Sequence, residues 1–340
     1  GYAGWLAARL HRLVSPLLIL LVAWAATAFA MKLVDTRPAV VQFTSQAALI
    51  PTWFLAIYTM LVLLAPVVYK FWRRFGLASF FFFAAMAAIT DGAFFAADMR
   101  WMGWTNYFWV WLAVQQLGFA WRDGRIGGVG ARLAISAVGL ITLYLLIRSG
   151  PYPLAMVGSP DKLLSNTLPP KITLLALGLF QFGLLMAFEV PMRRALQSLR
   201  LWTATVLINS MIMTIYLWHI TVMVIIGSVL YLSGGFGFGL EPGTSAWWMT
   251  RPIWIGVLLV FLLPVALLLS PLERRSRPAD ARSPAAASQI VGAFMICLGI
   301  SLLAMWGFGG GPRPWLDVTA FGLVVVGSVI SGVLSRQTFR

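Results

Sequence analysis

The chain has 340 residues, of which 60% are hydrophobic, 14% aromatic and only 10% charged. This composition excludes an ordinary soluble domain, and the long apolar runs favour membrane-spanning helices over the short alternating segments of a β-barrel. The net charge of +15 would suggest nucleic-acid binding in a soluble protein, but the basic residues cluster at the ends of apolar runs. We therefore interpret the charge as topological, and we expect membrane lipids and not nucleic acid as partners.

Apolar runs of about 18 to 25 residues recur along the chain, and each is long enough to cross a hydrocarbon core of ~30 Å as a helix. The sequence therefore predicts an all-α, polytopic transmembrane helical bundle with about ten spans. The predicted spans are roughly 13–34, 51–70, 77–97, 104–121, 131–148, 171–189, 201–232, 252–270, 289–307 and 315–334.

The distribution of basic residues predicts an orientation. If the N-terminus is cytoplasmic, most of the 25 Lys and Arg residues fall on the cytoplasmic side, so both ends of the chain are predicted inside. The two longest outer loops, 149–170 and 233–251, are rich in Gly, Pro and aromatic residues, as expected of loops that cover a site. The single cysteine, Cys297, excludes an intrachain disulfide.

One polar segment divides the chain. Residues 273–288, rich in Arg, Pro and Ala, are predicted to form a cytoplasmic linker. The linker separates a transmembrane core, 1–272, from a C-terminal transmembrane hairpin, 289–340. The hairpin has no ionisable residue in the middle of a span and abundant glycine, which favours close helix packing without chemistry.

Two ionisable residues stand inside predicted spans, His219 in the run MTIYLWHITVM and Asp91 in span 77–97. An Asp near a helix centre costs ~2.5 to 3.5 kcal/mol on insertion, so we expect it to face a partner or a wet cavity. A carboxylate bound to one imidazole nitrogen would leave the other nitrogen free as a base. We predict His219 and Asp91 as catalytic residues; the sequence leaves open whether they touch, and a packing role is the alternative.

Further polar residues are candidates for substrate binding. On a continuous helix over 201–232, Asn209 and Tyr216 share a face with His219, and Gln115 lies in span 104–121. Hydrogen bonds that fix helix packing are the alternative for these groups. At the start of the first span, Arg9 and Arg12 could grip the phosphates of an anionic donor or, alternatively, anchor the helix to lipid phosphates.

Several of these motifs resemble the type-3 membrane acyltransferase family. Tyr216-Leu217-Trp218-His219 resembles its YLWH signature, Pro51 to Leu55 (PTWFL) its LWFL motif, and Arg9 to Arg12 (RLHR) followed by Pro16 its RxxR segment. Residues 109–125 (with QQLGFAWRDGR), 166–170 and Gly183 are similar to an actinobacterial branch. The resemblance covers about residues 5–272.

The resemblance implies transfer of an acyl group, often acetyl, from coenzyme A thioester to a hydroxyl of an envelope glycan, lipid or small molecule at the bacterial inner membrane. It implies that Arg9 and Arg12 contact the donor phosphates. It also implies an earlier helix with an Arg and an essential His; we expect the core to lack that helix here and His219 to orient or assist that base. No Cys/His spacing typical of a metal site is present, so we predict no metal.

Two other functions are compatible with the same polar interior. A transporter or flippase for a lipid-linked or glycan substrate would open alternately to both faces and would not consume acyl-coenzyme A. A noncatalytic scaffold would tolerate apolar replacement of Asp91 and His219.

Overall fold

The computed structural model describes residues 1–157, 165–235, 238–241, 243–273, 283–309 and 315–334. These residues form thirteen α-helices and no β-strand, which confirms the predicted all-α class. The helices are α1 (Tyr2–Leu33), α2 (Pro38–Leu49), α3 (Thr52–Phe75), α4 (Leu77–Ala96), α5 (Asn106–Arg122), α6 (Val129–Ser149), α7 (Ile172–Ala187), α8 (Glu189–Ala195), α9 (Leu199–Asn209), α10 (Ile212–Leu232), α11 (Ser245–Glu273), α12 (Ala286–Trp306) and α13 (Leu316–Ile330).

Seven of the described helices are long and apolar enough to cross a membrane, or eight if the bent pair α7–α8 counts as one span. A polytopic helical bundle therefore fits, whereas the predicted number of ten is not reached by length and composition. The two remaining predicted spans correspond to shorter helices, α5 with 17 residues and α13 with 15.

The prediction of one continuous helix over 201–232 was wrong. Helix α9 ends at Asn209 and α10 begins at Ile212, with Ser210 and Met211 between them. The Ser210 hydroxyl donates to the carbonyl of Leu207 at 2.7 Å, a local bond that competes with regular helix. Asn209 therefore does not share a helix face with Tyr216 and His219.

An additional helix, α2, lies between the first two predicted spans. Proline at its first position suits a helix start, where the missing N–H has no intrahelical partner to lose. Its 12 residues extend for about 18 Å, and α2 packs against α1, α10 and α12. The segment Pro51 to Leu55, which resembles LWFL, thus directly follows helix α2 and not a loop that leads from α1.

The helices form two compact units. The terminal unit comprises residues 1–62 and 203–340, and the central unit comprises residues 63–202. In the terminal unit, α10 and α11 pack through Val222, Ile226 and Leu262. In the central unit, Trp72, Ala120 and Ile126 form a buried cluster. Arg9, Arg12, Tyr216 and His219 belong to the terminal unit, and Asp91 and Gln115 to the central unit.

Helices α12 and α13 pack tightly on each other within the terminal unit. A Cβ atom at Gly292 would lie 2.5 Å from the carbonyl oxygen of Gly327, so this approach requires glycine. The pair also contacts α2, because Gln46 donates to the carbonyl of Met305 and the Ser45 hydroxyl accepts from the Phe308 N–H. Of the predicted linker 273–288, residues 274–282 lie outside the described residues.

Candidate active site

A cavity of about 200 Å³ opens in the terminal unit between α1, α3 and α10. Helix α1 contributes Arg9 and Arg12, α3 contributes Phe54 and Tyr58, and α10 contributes Ile212 and Met213. Two guanidinium groups therefore stand against otherwise mainly apolar walls, a combination that suits a ligand with an anionic part and an apolar or neutral part.

Arg9 and Arg12 lie on one face of α1 because residues three apart in a helix are neighbours. Leu6, Leu10 and Leu13 on the same stretch of α1 are buried, and Leu13 also lines the cavity. Arg9 also stacks over the Trp5 ring, with its guanidinium carbon 5.7 Å from the ring centroid. Both arginine side chains are exposed, so their N–H donors are available to an anion.

Tyr216 lies directly behind the cavity wall. Its ring centroid is 5.4 Å from that of Phe54, and its hydroxyl donates to the carbonyl oxygen of Pro51 at 3.0 Å. This bond ties α10 to the residue that precedes α3. Tyr216 therefore fixes the wall formed by Phe54 and does not itself line the cavity.

His219 is one turn further along α10, and its ring centroid is 5.8 Å from that of Tyr216. Its Nδ1 is 2.5 Å from the carbonyl oxygen of Tyr216. Because a carbonyl oxygen only accepts, Nδ1 is the donor in this contact, and the tautomer with the proton on Nδ1 has its lone pair on Nε2. No residue in the described part of the chain hydrogen-bonds to Nε2. The ring is half-buried and presents a free basic nitrogen.

The helix that carries His219 is held against α1. The indole N–H of Trp24 donates to the Thr221 hydroxyl at 3.0 Å, and both residues are buried. Along α10, His219 is about 9 Å from Met213 at the cavity, at ~1.5 Å per residue. The terminal unit thus contains the arginine pair, the tyrosine and the imidazole.

Asp91 has a different environment, in the central unit. Its Oδ1 accepts from the Asn106 amide at 2.8 Å, and its Oδ2 accepts from the Tyr152 hydroxyl at 3.0 Å and from the Ile172 N–H at 2.8 Å. Ile172 is the first residue of α7, so the carboxylate also neutralises a helix N-terminus. The side chain is 2% exposed and well satisfied.

Sequence reasoning missed Lys171, which precedes α7 and is 1% exposed. Its Nζ lies 3.6 Å from the centroid of the Phe94 ring and, within the described residues, has no hydrogen-bond partner. Burial lowers the pKa of Lys171 to about 8, while the neighbouring Asp91 carboxylate acts in the opposite direction. The sequence showed Lys171 only as a basic residue at a span end, and no spacing marked it as buried.

Neither of the two remaining candidates lines this cavity. Asn209 is the exposed last residue of α9, and Gln115 is on α5 of the central unit. The structure therefore groups four of the seven predicted site residues around or behind one cavity. Among the residues that the structure describes, no three His, Cys, Asp or Glu side chains are placed to hold a metal ion.

Comparison with known proteins identifies the family. Residues 1–271 match the family model described as an acyltransferase domain, of the type-3 family, which confirms the resemblance found in the sequence. No curated protein matches the chain, and no solved structure does. The match ends before α12, so the hairpin α12–α13 lies beyond the matched domain.

Proposed function

The chain belongs to the type-3 acyltransferase family, and we propose that this multi-pass membrane acyltransferase uses acyl-coenzyme A, in particular acetyl-coenzyme A, as donor. The acceptor we propose is a hydroxyl group of an envelope glycan, lipid or small molecule. The observation that carries the proposal is the cavity that combines Arg9 and Arg12 with Phe54, behind which Tyr216 and His219 lie.

The arginine pair is suited to the donor phosphates. Guanidinium groups bind phosphate in a bidentate manner and stay charged at all physiological pH values. The cavity, at about 200 Å³, is smaller than the roughly 300 to 1,000 Å³ of a typical small-molecule pocket, so only part of the donor would occupy it. The apolar walls from Phe54 and Ile212 suit the uncharged arm that carries the thioester.

His219 supplies a position for the acceptor hydroxyl. Its Nε2 lone pair would accept a hydrogen bond from the hydroxyl and orient the oxygen for attack on the thioester carbonyl. In the transfer, a carbon–oxygen bond forms and the carbon–sulfur bond breaks. The hydroxyl proton passes to His219 Nε2. The coenzyme leaves as a thiolate, which a proton converts to the thiol. Asp91 as a partner of His219 stays a prediction.

The location follows from the donor. Coenzyme A thioesters are cytoplasmic metabolites, so we propose a bacterial inner-membrane protein with Arg9, Arg12 and both chain ends on the cytoplasmic side. The distribution of basic residues supports this orientation, since positively charged residues are retained on the cytoplasmic side of a membrane.

The binding of acetyl-coenzyme A to the purified protein tests the arginine assignment. Hydrogen bonds to charged groups contribute about 1.5 to 3 kcal/mol, so Arg9→Gln and Arg12→Gln should each raise Kd about tenfold or more. Arg148→Gln is the matched control, because Arg148 is an exposed arginine in the last turn of α6. It should leave Kd unchanged.

The same titration distinguishes donor binding from lipid anchoring. If Arg9 and Arg12 only anchor α1 to lipid phosphates, both variants will bind acetyl-coenzyme A as the wild type does and will differ in membrane insertion. Labelled acetyl-coenzyme A incubated with membranes that contain the protein then reports which acceptor becomes labelled. A wild-type protein that neither binds nor consumes the donor contradicts the proposal.

A further inference from the structure

A second cavity, here called the hairpin groove, lies at the other end of α1 in the terminal unit. It has a volume of about 220 Å³ and is lined by Ala25, Phe29 and Lys32 of α1, by Phe308, and by Asp317 and Phe321 at the start of α13 and within it. Part of its wall therefore comes from the hairpin that follows the matched family domain. The groove is not a part of the cavity proposed for the donor.

The walls of the groove present apolar surface towards the outside of the molecule. Phe29 is 65% exposed and Val318, another residue of the lining, is 72% exposed. Such side chains beside a cavity are compatible with a hydrocarbon chain and not with a free inorganic ion. The occupant must therefore be largely apolar.

The polar end of the groove is built around Lys32 and Asp317. The Asp317 carboxylate accepts from the N–H groups of Gly309 and Val318, at 2.8 and 3.0 Å, and its side chain is 13% exposed. Lys32 Nζ is 3.9 Å from the same carboxylate, and its side chain is 51% exposed. At this distance no hydrogen bond joins the two groups, so the N–H donors of the ammonium group remain available to another anion.

The backbone holds Lys32 in this place. A Cβ atom at Gly309 would lie 2.5 Å from the Lys32 Cε, and the φ angle of Gly309 is +79°. Glycine is required there both for the backbone conformation and for the space that the lysine stem occupies. Lys32 therefore lies across the Gly309 backbone at the polar end of an apolar groove.

We infer that the hairpin groove binds an anionic phospholipid, with the phosphate at Lys32 and the first part of one acyl chain against Phe29 and Phe321. Lys32 is in the last turn of α1, where a lysine side chain can extend along apolar surface to a lipid head group. The groove is too small for a whole lipid, so the rest of the molecule stays in the bilayer. Asp317 lies at 3.9 Å and does not hydrogen-bond the ammonium group, so the lysine N–H donors face the negative charge of an anionic head group.

This site is separate from the proposed donor cavity. Arg12 and Lys32 are on the same helix and about 30 Å apart at ~1.5 Å per residue, which is about the thickness of the hydrocarbon core. The lipid would join α1 to α13 at the end of α1 remote from the arginines. The inference does not depend on acyl transfer.

Native mass spectrometry of the full chain, released from detergent with phosphatidylglycerol or phosphatidylcholine, tests the site. We expect the wild type to retain one bound phosphatidylglycerol molecule. Phosphatidylcholine should be retained to a smaller extent. Lys32→Gln removes the cation and Ala25→Leu fills the groove from α1, so both variants should lose that lipid. Arg148→Gln again controls for general attraction of basic residues to anionic lipid and should keep it.

Two results would overturn the inference. If Lys32→Gln and Ala25→Leu both retain the wild-type number of phosphatidylglycerol molecules, Lys32 serves only to close the hairpin onto α1. If inorganic phosphate in excess displaces the bound lipid, the acyl chain contributes nothing and the groove is not a lipid site. Ala25→Leu leaves the ion pair intact, so the test remains decisive if Lys32→Gln fails to fold.

Discussion

His219 and Asp91 are both ionisable residues within long apolar helices, but their surroundings in the two units differ. The carboxylate of Asp91 accepts three hydrogen bonds, from Asn106, Tyr152 and the first N–H of α7. His219 uses one ring nitrogen on its own helix, and no described residue bonds to the other. A buried polar group with all its partners is stable where it is, whereas a free lone pair near a cavity can meet a substrate.

This comparison assigns different tasks to the two units. In the central unit, Asp91 joins α4 to the loop that carries Tyr152 and to the start of α7 by hydrogen bonds. Such bonds stabilise the packing of these elements. In the terminal unit, Phe54, Tyr216 and His219 lead from the arginine cavity to a basic nitrogen. Each of the following predictions would break or sharpen that division.

The largest effect is expected for His219→Ala. A positioned general base contributes typically about 10² to 10⁴ in rate, so transfer from labelled acetyl-coenzyme A should fall by about that factor. Membrane insertion and the thermal midpoint should change little, because the ring is only half-buried. His219→Asn, which keeps a donor near the Tyr216 carbonyl but has no Nε2, should be equally inactive. Wild-type turnover in either variant would remove His219 from the site.

Asp91→Ala should act on stability. It leaves three donors, on Asn106, Tyr152 and Ile172, without their acceptor, and each unsatisfied buried group costs about 1 to 3 kcal/mol. We expect a loss of about 3 kcal/mol or more, seen as a lower thermal midpoint and faster proteolysis between α6 and α7. A thermal midpoint equal to that of the wild type would show that Asp91 does not stabilise the folded protein.

The isosteric variant Asp91→Asn separates structure from chemistry. It keeps the shape and an acceptor oxygen, so we expect a smaller stability loss than for Asp91→Ala and transfer activity in proportion to folded protein. If Asp91 instead acts with His219, as the sequence analysis predicts, Asp91→Asn will reduce transfer as strongly as His219→Ala at a nearly unchanged thermal midpoint.

Much of the fold and part of the site were predictable from the sequence. Several apolar runs have the length and composition of membrane helices, so the helical class followed directly. His219 was predictable because an ionisable group is conspicuous in such a run, and Arg9 and Arg12 because they stand at the start of the first span in a segment that resembles the RxxR motif.

The rest depended on local bonds and tertiary contacts that leave no periodic signal. The break between α9 and α10 occurs inside an apolar run, where composition alone favours one helix. The burial of Lys171 depends on the Phe94 ring and on the loop before α7, and the hairpin groove depends on the backbone at Gly309. Only the folded chain brings these groups together.

The pH dependence of stability tests the central unit through Lys171. Burial lowers its pKa from 10.5 in the unfolded chain to about 8, so above pH 8 the unfolded chain binds more protons and stability rises with pH. From pH 8 to 9.5 the gain is about 1.6 kcal/mol, because the folded group is still half protonated at pH 8 and a full proton difference is worth 1.36 kcal/mol per pH unit. Thermal unfolding of the wild type should show this rise relative to Lys171→Met. Parallel pH profiles would show that Lys171 is hydrated in the folded protein.

The smallest effect is expected for Tyr216→Phe in the terminal unit. The change removes the bond to the Pro51 carbonyl but keeps the ring against Phe54, so the loss of stability should be about 1 kcal/mol. If Tyr216 only supports the cavity wall, the Kd for acetyl-coenzyme A and the transfer rate should each change less than about threefold. A threefold change corresponds to about 0.7 kcal/mol, since about 1.4 kcal/mol corresponds to a factor of ten. A fall in transfer of more than tenfold with unchanged donor affinity would instead show that the hydroxyl contacts the acceptor, and that the reactive part of the terminal unit extends from His219 to Tyr216.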